Sequence, residues 1–524
     1  MLHALELENF KAFGKRARIP FAPITLIFGE NSAGKSSILQ ALYLLKQTLE
    51  RRDTGALLLP RTENGLVDLG SFQEMLFDHD LKRTLSIRVD TKLDRELGIE
   101  FSFKRPSLEE EVLLDQINIY DGKSAKCTAK FQPLHTIEDP VEFWARMGML
   151  FDVSNSLPLP LESSTVECVW VTTEPEYWKP EFEWCKENME VILSNLKRSK
   201  AWFKRKNDEM NIREDTFRNF FDLLNTDIEL FSSDFDLETY ISKSYKEKMN
   251  TILSIRGFLP NDTLCINRRN DWITEPESLF SRRSDDTSIF DPAQLAIATS
   301  SALEETLEAL FPISPFRKPP ERWYIFRGTS PSHVGYQGDL LPDLLLRRPE
   351  LVNETNEWLK RLEIDYALEV KPIGTDSGDF FEVRLIDTRR REPVSVALPD
   401  VGFGVSQLLP FIVQSLVSEG QIISIEQPEV HVHPKLQADL GDLLAEAIKE
   451  PRQNRFIIET HSEHLILRLQ RLVRKKQIEP EDVSVIYVNR GPEGAKAERL
   501  HLDEDGDFID DWPNGFFTER LREL

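Results

Sequence analysis

Four places in the chain carry residues whose types and spacing can do chemistry. The first is Gly29-Glu-Asn-Ser-Ala-Gly-Lys35-Ser36, in which lysine and a hydroxyl residue follow a glycine-bounded loop. Glycines let successive backbone N–H groups wrap an anion, and the positive end of a following helix adds to that potential. At this spacing Lys35 reaches the β- and γ-phosphates of a nucleoside triphosphate, and the Ser36 hydroxyl ligates Mg2+. The second is Glu426, which closes the apolar run in "QIISIEQPEVHVHP". A carboxylate at the carboxyl end of a buried strand lies where ligands bind in open α/β sheets, and it can hold Mg2+ directly or through its waters. The third is His461 in "FIIETHSEHLI", placed to donate to a γ-phosphate or to position an attacking water. The fourth is the turn Gly402-Phe-Gly404-Val-Ser406-Gln407, which opens an apolar helix and offers a second anion site. If that turn faces the nucleotide of another copy, ATP joins two chains.

These residues need elements to hold them. "LHALELENF" alternates apolar and polar residues, as a half-buried strand does, and "ITLIFG" reads as a buried strand ending at Gly29. "SSILQALYLLKQTLE" has helical spacing and follows the loop directly. "LSIRVDTKL", "GIEFSFK" and "INIY" are strand-like. From about residue 130 to 305 the text turns charged and aromatic, with proline-rich joints, and predicts a largely helical insertion. Beyond it, "QIISIEQ", "NRFIIETHS" and "SVIYVNRG" alternate with helical segments, as in a parallel α/β sheet. Three segments are therefore expected: 1–129, 130–304 and 305–524.

The whole-chain composition narrows the class. The chain has 524 residues, 40% hydrophobic and 29% charged, enough for more than one buried core. Its four widely spaced cysteines form no metal-binding pattern and fit a reducing compartment. No apolar leader opens the sequence and no run is long enough to span a bilayer, so a cytoplasmic protein without a membrane partner is expected. The net charge of −24 argues against a general nucleic-acid coat. One local exception, "NLKRSKAWFKRK" at Asn195 to Lys206, sets six basic residues around Trp202 and Phe203 and leaves DNA as a possible partner.

The order of these motifs resembles the ATP-binding-cassette heads of the structural-maintenance-of-chromosomes, RecF and overcoming-lysogenization-defect ATPases. "LELENFKAFG" looks like their first strand and loop, "GENSAGKSS" like their Walker A, and "VGFGVSQ" stands where their signature stands. "IISIEQPEVHVHP" resembles their Walker B and D-loop, and "ETHSEHL" their switch histidine. The likeness covers roughly residues 1–120 and 305–524. It implies an α/β P-loop NTPase of ABC-head type, a mixed β lobe plus a parallel α/β lobe, using ATP and Mg2+. It also implies that Asn31, Ser32, Ala33, Gly34, Lys35, Ser36 and Ser37 hold phosphates, that Lys11 touches the nucleotide, and that Gln73 senses Mg2+. Gly404, Ser406 and Gln407 would contact ATP from the partner of a homodimer or higher even oligomer.

One departure matters. The family places Asp then Glu at Walker B, metal carboxylate followed by general base; here the pair is Glu426 then Gln427. Glutamine cannot take a proton from water. Either Glu426 serves as base, or Glu429 reaches in, or hydrolysis is slow. "ISPFRKPPERWYIFRGTSPSHVGYQGDLLPDLLL" and "DEDGDFIDDWPNGFFTE" further resemble a bacterial anti-phage subgroup, the Septu ATPase among them, in which a separate nuclease is the effector. The residues after His461 are too few for an appended nuclease domain, so none is expected.

Overall fold

The computed structural model describes residues 1–51, 57–63, 65–92, 96–106, 112–122, 124–131, 169–173, 251–256, 259–265, 292–374 and 379–512. The chain divides into two compact units. One comprises Met1–Arg51, Leu58–Val89 and Glu304–Leu524; the other comprises Arg52–Leu57 and Asp90–Leu303.

The first unit opens with the antiparallel pair β1 (Leu2–Glu8) and β2 (Ala17–Pro20), Leu5 opposite Ile19. Next come β3 (Ile24–Gly29), α1 (Lys35–Glu50), the short α2 (Phe72–Met75) and β4 (Leu85–Lys92), which leads into the second unit. There β5 (Glu96–Lys104), β6 (Leu113–Asp121), β7 (Ser124–Phe131), β8 (Val169–Thr173), β9 (Thr251–Arg256) and β10 (Leu259–Cys265) pair antiparallel in sequence order. The expected mostly helical stretch 130–304 is therefore strand over much of its described part, with α3 (Pro292–Glu308) at its end. Runs such as "VWVTT" and "TILSIR" carry the β-branched residues that favour a pleated chain, and they are short enough to be lost among charged text. The expected break at 129 falls inside β7. The basic stretch 195–206 lies outside the described residues.

Back in the first unit, β11 (Leu310–Ile313) and β12 (Tyr324–Ile325) precede α4 (Leu341–Arg347) and α5 (Pro349–Arg361). An antiparallel layer follows, β13 (Tyr366–Pro372), β14 (Phe380–Asp387) and β15 (Val394–Ala397), with β12 on its edge. Then α6 (Phe403–Val417), β16 (Ile422–Glu426), α7 (Pro434–Ala447), β17 (Arg455–Glu459), α8 (Glu463–Arg474), β18 (Val483–Gly491) and β19 (Gly494–Leu500) complete the unit.

The sheet that positions the site has the order β11-β16-β17-β3-β18-β19 and is parallel except for its last hairpin. Its central strands are buried on both faces, which explains why they read as unbroken apolar runs. Ile24, Leu26, Ile27 and Phe28 of β3 are fully buried, and each contributes about 2 kcal/mol. β3 is thus anchored by the core rather than by any ligand. Tyr43 of α1 donates to Ser424 of β16 at 2.9 Å, tying the helix after the loop to the strand that carries Glu426.

The aromatic tail docks on this core. Trp512 meets Phe28, Tyr487 and Phe508 edge-on, with ring centroids 6.0, 6.3 and 5.0 Å away. Asp503 to Asp507 form a polar turn closed by Asp503 Oδ1, which accepts from the Asp505 and Asp507 backbones. Phe516 and Phe517 lie outside the described residues. Trp512→Ala is expected to lower stability by about 2 kcal/mol, since the ring is half-buried. Urea unfolding of the nucleotide-free protein measures this, and an unchanged midpoint would show that the tail contributes no packing.

Candidate functional site: the carboxyl ends of β3, β17 and β16

The phosphate loop leaves β3 at Gly29, whose φ of 147° is foreign to other residues. A Cβ there would lie 2.1 Å from the Val488 carbonyl oxygen of β18, so the backbones meet where only glycine fits. Ser32 and Gly34 also have positive φ, 61° and 106°, and together they curl the loop so that α1 begins at Lys35 without a side-chain cap. An uncapped helix N-terminus facing a curled loop is an anion-binding arrangement. Lys35 is only 4% exposed and its ammonium donates to the Gly29 and Glu30 carbonyls at 3.2 and 2.8 Å. Burial lowers its pKa, while Glu459 and Glu429 act the other way.

The parallel register brings Glu426 of β16 beside Glu459 of β17, and Glu459 beside Ile27 of β3. Two carboxylates thus share one end of the sheet with the loop. Burial pushes the Glu426 carboxyl up to about 7, Glu459 adds to the rise, and Arg317 opposes it. Glu459, 4% exposed, is also raised, chiefly by burial, and its hydrogen bond with Ser36 and the charge of Lys35 counter this. Its Oε2 atom is buried without a hydrogen-bond partner among the described residues. The sequence motifs do not single out Glu459; it joins the site because it pairs with Glu426 across β16 and β17.

Glu429 has a different task. Its Oε1 accepts from the His461 backbone N–H at 2.6 Å, and Thr460 bonds to the same carboxyl. The Glu429 carboxyl therefore bridges the loop after β16 to the loop after β17. His461 itself is half-buried, and burial, then the charge of Lys35, lower its pKa. Gln427 has a φ of 46° and its N–H donates to the Glu459 carbonyl at 2.7 Å.

The profile of the AAA ATPase domain family matches residues 1–466 of this chain. The chain belongs to that family. A second profile, described as a protein of unknown function (DUF3696), matches residues 478–524. No curated protein matches. Among solved structures, similar ones include the SMC head domain from Thermotoga maritima, at 10% identity over 96% of this chain and 99% of that one, TM-score 0.35. Another is the SmcHead bound to the C-winged helix domain of ScpA, at 12% identity over 96% and 98% of the two chains, TM-score 0.37. A third is the Smc head domain with an extended coiled coil bound to the C-terminal domain of ScpA, derived from Pyrococcus furiosus, at 12% identity over 95% and 96%, TM-score 0.35. The family match and the strand order together describe an α/β P-loop ATPase domain built on a mainly parallel sheet.

The remaining expected residues of this ATPase are placed less simply. Asn31 and Ser32 are exposed at the loop tip, while Ala33 and Ser37 are buried beneath it. Lys11 has a φ of 49°, its N–H donates to Met75, and the neighbouring Ala12 packs where a Cβ on Gly34 would lie 2.5 Å from it. The loop after β1 thus abuts the phosphate loop, although the charges nearest the Lys11 ammonium are Glu74 and Asp68. Gln73 does not face the carboxylates in this conformation. Its amide donates to the His79 carbonyl at 3.1 Å, in a turn fixed by the Ser71–Glu74 capping box. In the signature-like turn, Ser406 and Gln407 are buried within their own chain, and a Cβ on Gly404 would lie 2.4 Å from the His431 carbonyl. The element left open there is the helix N-terminus at exposed Gly402, which has no side-chain cap.

Gly29→Ala is expected to destabilise the protein by at least about 2 kcal/mol and to abolish nucleotide retention, because positive φ and backbone contact both oppose it. Gly420→Ala, at positive φ but in open space, is the control and should lose about 1 kcal/mol with binding intact. Thermal unfolding and fluorescent-nucleotide titration of both variants check the pair.

Proposed function

We propose that this chain is a slowly hydrolysing ATPase whose ATP-bound form dimerises and controls a separate effector. The observation that supports it best is the convergence, at adjacent carboxyl strand ends, of the Lys35 loop, the Glu426 and Glu459 carboxylates and His461. Mg2+ fits this donor set. It is a hard cation that takes oxygen ligands and keeps several waters, and the Ser36 hydroxyl, Glu426 and the unpartnered Oε2 of Glu459 supply oxygens. Once bound, the ion would neutralise phosphate charge.

The chain's own residues then have separable tasks. Lys35 leaves the Gly29 and Glu30 carbonyls for the phosphates. His461 orients the attacking water, and Glu426 takes its proton. Gln427 cannot accept that proton, and Glu429 holds the His461 backbone through Oε1 while its Oε2 has no hydrogen-bond partner among the described residues. The reason to expect slow turnover is that the residue following Glu426, where the family places its base, is Gln427. The open helix end at Gly402 supports pairing through ATP, since it offers a second phosphate-binding terminus on the same chain.

The finer reading, a defence ATPase paired with a nuclease, rests on the resemblance of residues 313–346 and 503–519 alone. Among the described residues no helix is long and apolar enough to cross a membrane.

Turnover and oligomer mass, read in the same samples, test the proposal. Lys35→Ala should lose both ATP binding and assembly. Glu426→Gln should slow turnover about a hundredfold or more and accumulate ATP-bound dimers. Glu429→Gln should keep most activity, because an amide oxygen still accepts from His461. Equal damage from both glutamine variants would make Glu429 the base, and fast turnover by the wild type alone would remove the slow-hydrolysis reading.

A further inference from the structure

Arg317 is 7% exposed, yet its guanidinium has no hydrogen bond or ion pair among the described residues, and its Nε is buried without a partner. Its place is set by the sheet. Ile313 at the end of β11 lies opposite Ile425 of β16, so the chain leaving β11 runs past the carboxyl end that carries Glu426. The segment is pinned on both sides of the arginine: the Ser314 N–H donates to the Tyr336 carbonyl and the Lys318 N–H to the Gln337 carbonyl, each at 2.9 Å. Phe316 is 84% exposed and Lys318 is also exposed, so the side chain between them is the one turned inward.

A buried cation without a partner is unfavourable, and proteins ordinarily pair it or bind something to it. Burial lowers the Arg317 pKa to about 10, which still leaves it charged at neutral pH, and the charges that oppose this are Glu429 and Glu426. Neither carboxylate closes onto it as an ion pair. Lys35 feels Glu459 and Glu429 from the β3 side, and Arg317 feels Glu429 and Glu426 from the β11 side. The two cations therefore approach the carboxylate cluster from opposite sides and have Glu429 in common. The phosphates nearest the loop are served by its N–H groups and Lys35, which leaves the end beside Glu426 to the terminal phosphate.

We propose that Arg317 is an arginine supplied in cis that bonds to the terminal phosphate of ATP, so that the site distinguishes ATP from ADP. This rests on the ATP-binding reading of the Lys35 loop. A planar, permanently charged fork suits phosphate oxygens, and such arginines stabilise charge in phosphoryl transfer. The role is not one Gln73 can fill while its amide is engaged with His79.

The test is equilibrium binding of ADP and of a non-hydrolysable ATP analogue to wild type, Arg317→Met, Arg317→Lys and Lys35→Ala, with thermal unfolding of each nucleotide-free protein. Arg317→Met keeps the buried stem and removes the charge. It should weaken the ATP analogue about tenfold or more, as expected for losing charged hydrogen bonds, and leave ADP affinity within about twofold. Its nucleotide-free melting temperature should match or exceed that of wild type, because an unpaired buried charge has gone. Arg317→Lys should recover only part of the loss. Lys35→Ala should lose both nucleotides. Equal loss of ADP and ATP analogue in Arg317→Met, or no loss of either, overturns the proposal. A lower melting temperature with unchanged nucleotide preference would make Arg317 a structural counter-ion. If wild type binds neither nucleotide, the underlying ATP reading fails, and Arg317 falls with it.

Discussion

Everything at this site depends on one parallel register. Glu426 is paired with Glu459, and Glu459 with Ile27, across three adjacent strands that end together. Parallel strands share a direction, so their carboxyl ends and the loops that leave them gather on one edge of the sheet. A shift of one residue would turn Glu426 and Glu459 to the opposite face of the sheet. One face of the three strands, carrying Ile24, Leu26, Phe28, Ile423, Ile425, Phe456 and Ile458, packs into a single core, and a slip would take those side chains out of it.

The same packing makes the site electrostatically unusual. Three carboxylates, Glu426, Glu429 and Glu459, are all pushed above their ordinary pKa, with burial as the largest cause in each case. Burial also lowers the pKa of Lys35, Arg317 and His461. Charges of both signs are held out of water and incompletely paired, which is unfavourable in the free chain. It becomes favourable when a highly charged ligand enters, since electrostatic interactions are strongest where solvent is excluded.

Backbone proximity supplies the second constraint. Gly29 lies against Val488 and Gly404 against His431, so the phosphate loop is seated on β18 and the start of α6 on the loop after β16. The second contact joins the signature-like turn to the segment that carries Glu429. Glu429 in turn holds the His461 backbone, and the Ser462 hydroxyl donates to Gln437 of α7. Movement at the turn, at the carboxylate loop or at the histidine is therefore mechanically shared.

The sequence by itself determined the local parts of this protein. Gly29 to Ser36 announces a phosphate loop because the pattern is contiguous, and "ITLIFG", "IISIE" and "RFIIE" announce buried strands because parallel sheets covered on both faces require unbroken apolar runs. The end positions of Glu426 and His461 follow from those strands. Tertiary structure decided what no local pattern carries. β12 finds its partner only in β14, and β8 its partners only in β7 and β9, each across a long intervening segment. Glu459 becomes a site residue only through its register neighbours, and Glu429 shows itself as a bridge only through its contact with His461. Arg317, an ordinary residue of a proline-rich stretch on paper, is drawn into the cleft because β11 pairs with β16, more than a hundred residues away in sequence. Chemistry written within a few adjacent residues can be read from sequence; charge brought together by strand pairing cannot.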